Sequence, residues 1–95
     1  MNASDVIELY DLLTKNDIQI WIDGGWGVDA LLGKQTRPHE DVDIVIQQKD
    51  VPKMRTLLAR QGFNDVPRDD TSMWNFVLGD DKGRLVEVHA IVFEA

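Results

Sequence analysis

The chain has 95 residues, with 10 Lys+Arg against 17 Asp+Glu and a formal net charge of −7. This length suits one domain spanning 1–95, and 43% apolar with 28% charged residues is the make-up of a soluble globular chain. The lack of cysteine excludes disulfides, thiolate metal sites and a cysteine nucleophile, the acidic balance argues against nucleic acid held on a broad basic face, and the absence of a ~20-residue apolar run or a secretory leader makes the cytoplasm the default, with no membrane partner.

Along the chain, Ser4 precedes Val6, Ile7, Leu9, Tyr10, Leu12 and Leu13, whose three- and four-residue recurrence predicts an amphipathic helix over 5–15 with Ser4 as its cap. Ile18 to Asp23 alternates like a strand and is broken by Gly24-Gly25. A short helix over 26–32, closed by Gly33, and a polar loop over 34–39 follow. Asp41 to Gln47 reads as a second strand, and Val51 to Gln61 as a helix stopped by Gly62. Residues 63–66 form a short edge strand closed by Pro67, and 73–78 and 84–93 form two strands around the hairpin loop 79–83. The expectation is an α+β fold, a mixed sheet with helices packed on it.

The second strand carries the chemistry. Side chains alternate along a strand, so Val42, Ile44 and Ile46 share a core face while Asp41 and Asp43 share the other, roughly 7 Å apart. Like charges this close repel, and a divalent cation such as Mg²⁺, which takes hard oxygen ligands, relieves that repulsion. A solvated polar face on an edge strand would show the same pattern. In the last strand, Glu87 is an isolated carboxylate among apolar residues, and acidic side chains are seldom buried unless paired or metal-bound. If the two strands are neighbours, three carboxylates converge; otherwise Glu87 pairs at the surface with Arg84, Lys82 or His89. Gly24-Gly25, between a strand and a helix, can let phosphate oxygens approach backbone amides, or can simply be a turn. Arg37, just before the acidic strand, can fork onto phosphates or pair with Glu40 or Asp41. His89 can orient Glu87 or touch a phosphate, or merely fill space, and Trp21, Trp26 and Trp74 suit the core or a pocket wall.

The run Trp21-Ile22-Asp23-Gly24-Gly25-Trp26-Gly27-Val28-Asp29-Ala30, followed by Thr36-Arg37-Pro38-His39-Glu40-Asp41-Val42-Asp43-Ile44 and later by Val86-Glu87-Val88-His89-Ala90, resembles the antibiotic nucleotidyltransferases. Within that group the resemblance is to the lincosamide nucleotidyltransferases and the aminoglycoside 2″-adenylyltransferases, of the DNA polymerase β-like superfamily. The resemblance implies the nucleotidyltransferase fold with about five strands. It implies that Gly24 and Gly25 hold the nucleotide triphosphate, that Arg37 contacts phosphates, and that Asp41, Asp43 and Glu87 are catalytic ligands of two Mg²⁺ ions, with Glu87 also proposed as the base. The implied reaction moves AMP from ATP, or the equivalent from another NTP, to a hydroxyl of a small-molecule antibiotic and releases pyrophosphate.

Relatives of this type continue into a mostly helical C-terminal part, which is expected to be missing here because the chain stops just after the third-carboxylate strand. A fragment, a truncated form or a cleft completed by a second subunit, as in a homodimer, would each account for that. The competing expectations are a small antitoxin-type nucleotidyltransferase that modifies or binds a partner protein, and a non-catalytic interaction module that keeps the fold.

Overall fold

A computed structural model describes residues 1–26 and 41–92. The helix expected from Gly27 onward, the loop 34–39 with Arg37 and His39, and the end of the last strand at Phe93 lie outside the described residues.

Helix α1 spans Ala3–Lys15 and buries Val6, Leu9 and Leu13. Its cap is Asn2, not Ser4. The Asp5 N–H donates to Asn2 Oδ1 and the Asn2 N–H donates to Asp5 Oδ2, both at 2.9 Å. Asn and Ser are comparable caps in isolation, and the reciprocal bond from Asp5 decides between them. Asp5 is itself held by Arg84 Nη1 at 3.0 Å. The helix closes with Asp17 at φ 61°, the Asp17 N–H on Thr14 O and the Ile18 N–H on Leu13 O. Ile18 thus spends its amide on this helix terminus, and strand β1 begins later than its pattern predicts, at Ile20–Asp23.

Strand β2 covers Asp41–Gln47 as expected. A 3₁₀ turn at Gln48–Asp50 leads into α2, Val51–Arg60, with Pro52 in the first turn, where a missing amide costs no helical hydrogen bond. This helix buries Val51, Met54 and Leu58. It closes as α1 does, with Gly62 at φ 89° and the Phe63 N–H on Leu58 O; glycine takes the left-handed position without a steric penalty. The edge strand β3 is only Asn64–Asp65. Strand β4, Asn75–Gly79, starts two residues later than expected because Ser72 Oγ accepts from the Trp74 and Asn75 amides and holds a turn there. Strand β5 is Leu85–Ile91. Between β4 and β5, the Asp80 carboxylate accepts from the Lys82 and Arg84 amides and from Arg84 Nε. Burial raises the Asp80 pKa, but these bonds outweigh it and hold the carboxyl below its usual range.

The five strands run β1-β2-β5-β4-β3. The β2–β5 pair is parallel and the other pairs are antiparallel, giving the mixed sheet anticipated from the element order. Val42, Ile44, Ile46, Val86 and Val88 are 0% exposed and form a single core cluster with the apolar residues of α1 and α2. Both helices therefore cover the same face of β2 and β5. The residues that alternate with this core, including Asp41, Asp43 and Glu87, point to the opposite face. No helix among the described residues is long and apolar enough to cross a membrane.

The cap assignment predicts that Asn2→Ala lowers the unfolding free energy by about 1 kcal/mol, whereas Ser4→Ala leaves it nearly unchanged. Urea unfolding of the two variants checks this, and a larger loss at Ser4 would reverse the assignment.

Candidate active site

The site is built by strand register. In the parallel β2–β5 pair, Asp43 lies opposite Glu87 and Asp41 opposite Leu85. Because residues two apart share a face, Asp41, Asp43 and Glu87 project from the same side, and carboxylate oxygens of all three lie within 4.8 Å of one another. Each is half-buried. The convergence that the sequence made conditional on neighbouring strands is present. The alternative surface pairings of Glu87 are not: Arg84 is bound to Asp80 at 2.6 Å and to Asp5 at 3.0 Å, and His89 is nearest Asp43 rather than Glu87.

The diglycine abuts this cluster. Asp23, the last residue of β1, pairs with Asp43 across the antiparallel ladder. Gly24 follows at φ +64°, and a Cβ placed on it would collide with the Asp43 carboxylate. Only glycine fits here on both counts, the left-handed backbone and the close approach. Residues 24–26 are helical, with Gly25 half-buried and Trp26 in the core cluster, so the chain passes from strand to helical turn directly beside the carboxylates. Arg37, the remaining residue singled out for nucleotide binding, lies outside the described residues.

The electrostatics express crowding. Glu87 is pushed up from 4.5 to about 7, first by its hydrogen bond with Asp43, then by burial and by the negative charges of Asp43 and Asp41, with Arg68 opposing. Near neutral pH the cluster therefore tends to hold a proton. Three hard oxygen donors, half-buried and too close to ionise together, match what a divalent cation of the Mg²⁺ type binds. The donor set fits such an ion.

Several neighbours were not legible as site residues. Asp23 extends the acidic row by one strand, and its position immediately before Gly24-Gly25 was the available signal. Arg68 sits on the segment that returns along β4, where the Val66 N–H donates to Val77 O. With Asp69, Asp70 and Thr71 it rims a pocket whose floor includes Glu87 and His89. Asn75 faces His89 across the β4–β5 ladder, with its Oδ1 at 2.9 Å from His89 Nδ1. Nothing in the local sequence announces either Arg68 or Asn75, since both depend on how β4 is threaded.

The chain is similar to proteins of known kind. A lincosamide resistance protein of Staphylococcus haemolyticus is 37% identical over 63 residues, which are 66% of this chain and 39% of that protein. The crystal structure of the lincosamide antibiotic adenylyltransferase LnuA, lincomycin-bound, superposes with a TM-score of 0.88 at 28% identity, over 99% of this chain and 58% of that one. The crystal structure of ANT(2″)-Ia in complex with adenylyl-2″-tobramycin superposes at 0.83 and 20% identity, over 96% of this chain and 50% of that one, a likeness of fold. The chain thus has the nucleotidyltransferase fold and spans between about two fifths and three fifths of the length of these proteins. The family model for aminoglycoside-2″-adenylyltransferase matches residues 5–95, and the chain belongs to that family.

Proposed function

We propose that residues 1–95 supply the metal- and nucleotide-binding half of an enzyme that transfers AMP from ATP to a hydroxyl of an antibiotic, a lincosamide or an aminoglycoside, with release of pyrophosphate. The observation that carries this reading is the set of Asp41, Asp43 and Glu87 oxygens within 4.8 Å of one another, directly beside the Gly24 bend. The S. haemolyticus relative, the lincomycin-bound LnuA and the tobramycin adduct of ANT(2″)-Ia support the choice of acceptor class. Cytoplasmic location and association into a homodimer belong to the same proposal, the second because β1 forms an outer edge of the sheet.

In this reading Asp41 and Asp43 hold Mg²⁺, with Glu87 completing the set. Two such ions, when bound, would neutralise charge that develops on the phosphate oxygens. Gly24 and Gly25 bring backbone amides against the triphosphate, and Arg37 meets its oxygens. Glu87, on the strand next to the metal-holding pair, takes the proton of the acceptor hydroxyl as that oxygen forms its bond to the α-phosphorus and the bond to pyrophosphate breaks. The acidic face, with Asp23 added to the three carboxylates, also attracts an amine-bearing drug over an anionic one.

The first test incubates the chain with Mg²⁺-ATP and a panel of lincosamides and aminoglycosides, read by mass spectrometry. The expected product is a drug heavier by one AMP, and Asp43→Asn should slow its formation by at least about 10²-fold without changing the thermal unfolding transition greatly. No adduct with any drug, but AMP on a partner protein, would replace the antibiotic reading with the antitoxin-type one.

A second test concerns the bend. Gly24→Ala places a side chain at a left-handed position, at a cost of about 1–2 kcal/mol, and displaces Asp43. Calorimetry should find Mg²⁺-dependent ATP binding in the parent chain and its loss in this variant; undiminished binding would remove Gly24 from the site.

The third is a pH dependence. Glu87 binds its proton more tightly when folded than at its ordinary value of 4.5, so its contribution is fully present below pH 4.5 and is lost as pH rises through about 7. Without metal, the melting temperature should fall across that window, and Glu87→Gln should flatten the fall. Added Mg²⁺ should stabilise the parent chain more at pH 8 than at pH 5. A metal-free profile that is flat from 4.5 to 7 would contradict the crowding of the three carboxylates.

A further inference from the structure

The connection from β3 to β4 is longer than a hairpin needs, and it folds over the open face of the sheet. The ladder pairs Asn64 and Asp65 with β4, and beyond it the Val66 N–H still donates to Val77 O. Pro67 has no amide with which to continue. The chain then turns, with the Arg68 N–H donating to Thr71 Oγ1 at 2.7 Å and the Thr71 N–H donating to Arg68 O. It rejoins β4 where the Ser72 N–H donates to Asn75 O. Anchored at both ends, this turn borders a cavity of about 460 Å³ that reaches Glu87. Val77, the cross-strand partner of Glu87, lines the floor. This valine is 7% exposed yet stands outside the core cluster, so it is covered from the open face and not by the helices.

Position and lining together point to an occupant. β1 carries the Gly24 bend, and β2 and β5 separate it from β4. Neighbouring strands are ~4.8 Å apart, so the bend and the Val77 floor stand roughly 14 Å apart, on opposite sides of the Asp43–Glu87 pair. In-line phosphoryl transfer sets the attacking and leaving oxygens on opposite sides of the phosphorus. A triphosphate held at Gly24 therefore leaves the β4 side to the attacking hydroxyl. The cavity there combines an apolar floor with a rim of both charges. Among the described residues, Arg68 is the one arginine or lysine that lines it, and no ion pair engages this guanidinium. Arg68 can only donate, and the ionised carboxylates of Asp69 and Asp70 beside it can only accept. A pyranose ring has the matching surface, with C–H groups on one face and hydroxyls around its edge. An ammonium substituent suits the two aspartates.

We infer that this cavity is the acceptor subsite for the sugar ring of an amine-bearing glycoside, with Val77 under the ring, Arg68 on its hydroxyls, and Asp69 and Asp70 on the ammonium. The inference rests on the nucleotidyltransferase reading of the carboxylate cluster and adds where the acceptor sits and what selects it. The 68–71 turn is then a specificity element, which contributes to binding of the acceptor and not of the nucleotide.

The test titrates the ¹⁵N-labelled full chain and follows its amide shifts with Mg²⁺-ATP, lincomycin, tobramycin and spermine as probes. Lincomycin and tobramycin separate two sources of such a ring, and spermine carries amines without one. The expected result is saturable shifts at Thr71, Asn75 and Val77 with at least one drug and not with spermine, while Mg²⁺-ATP moves residues 23–25. Arg68→Gln should raise the Kd of that drug about tenfold and leave that of Mg²⁺-ATP unchanged. Spermine reproducing the shifts at those amides overturns the inference, because charge alone then accounts for them. So do drug-induced shifts that cluster elsewhere, and an unaltered drug Kd in Arg68→Gln. Silence with both drugs, while Mg²⁺-ATP still moves residues 23–25, overturns the inference and leaves the nucleotide-binding reading standing. If neither the drugs nor Mg²⁺-ATP move any amide, both fall.

Discussion

The parallel pairing of β2 with β5 is the constraint on which everything else depends. It sets Asp43 opposite Glu87 and leaves Asp41 two residues away on the same face. Three carboxylates then occupy a space that pure electrostatics would keep them out of. The opposing cost is met on the other side of the same strands, where Val42, Ile44, Ile46, Val86 and Val88 are removed from water. A one-residue slip in either strand would send its acids into the core and its aliphatic residues into solvent. The hydrophobic pattern therefore enforces the acidic cluster, although it contributes no ligand to it.

The helices complete the arrangement by staying on one side. α1 and α2 both pack against the aliphatic face, which leaves the acidic face open above β2 and β5. Their termini are closed by local devices: the Asn2–Asp5 box at the start of α1 and left-handed residues at Asp17 and Gly62. Arg84 ties the start of α1 to the β4–β5 loop through Asp5 and Asp80. That cation is thereby committed to the scaffold and does not neutralise Glu87. The raised proton affinity of Glu87 comes from its hydrogen bond with Asp43, its burial and the charges of Asp43 and Asp41, with Arg68 opposing.

Around the cluster, three strands contribute from different distances in sequence. β1 delivers Asp23 and the Gly24 bend, whose missing side chain is what lets the backbone lie against Asp43. β4 delivers Asn75, which orients His89. The segment after β3 brings Arg68 to the rim beside Glu87. A fold shared with LnuA over 99% of this chain places these contributions on a scaffold of known type, while the chain spans 58% of that protein's length.

By itself the sequence determined the strong periodic features. The 41–47 strand, the split of its residues into aliphatic and acidic faces, both helices and the isolation of Glu87 in an apolar strand could all be read from spacing, because alternation and helical recurrence are local properties. The resemblance to the family was legible for the same reason: it rests on short runs around Gly24-Gly25 and Asp41-Val42-Asp43. Element starts were misjudged where a hydrogen bond outvoted a pattern, as when the Asn2–Asp5 pair displaced Ser4, the Ile18 amide closed α1, and Ser72 held a turn before β4. Only the tertiary structure decided that β5 inserts between β2 and β4, and hence that Asp43 meets Glu87, that Asp23 joins the row, and that Asn75 reaches His89. Strand order and register arise from contacts between residues dozens of positions apart, and no window of sequence contains both partners.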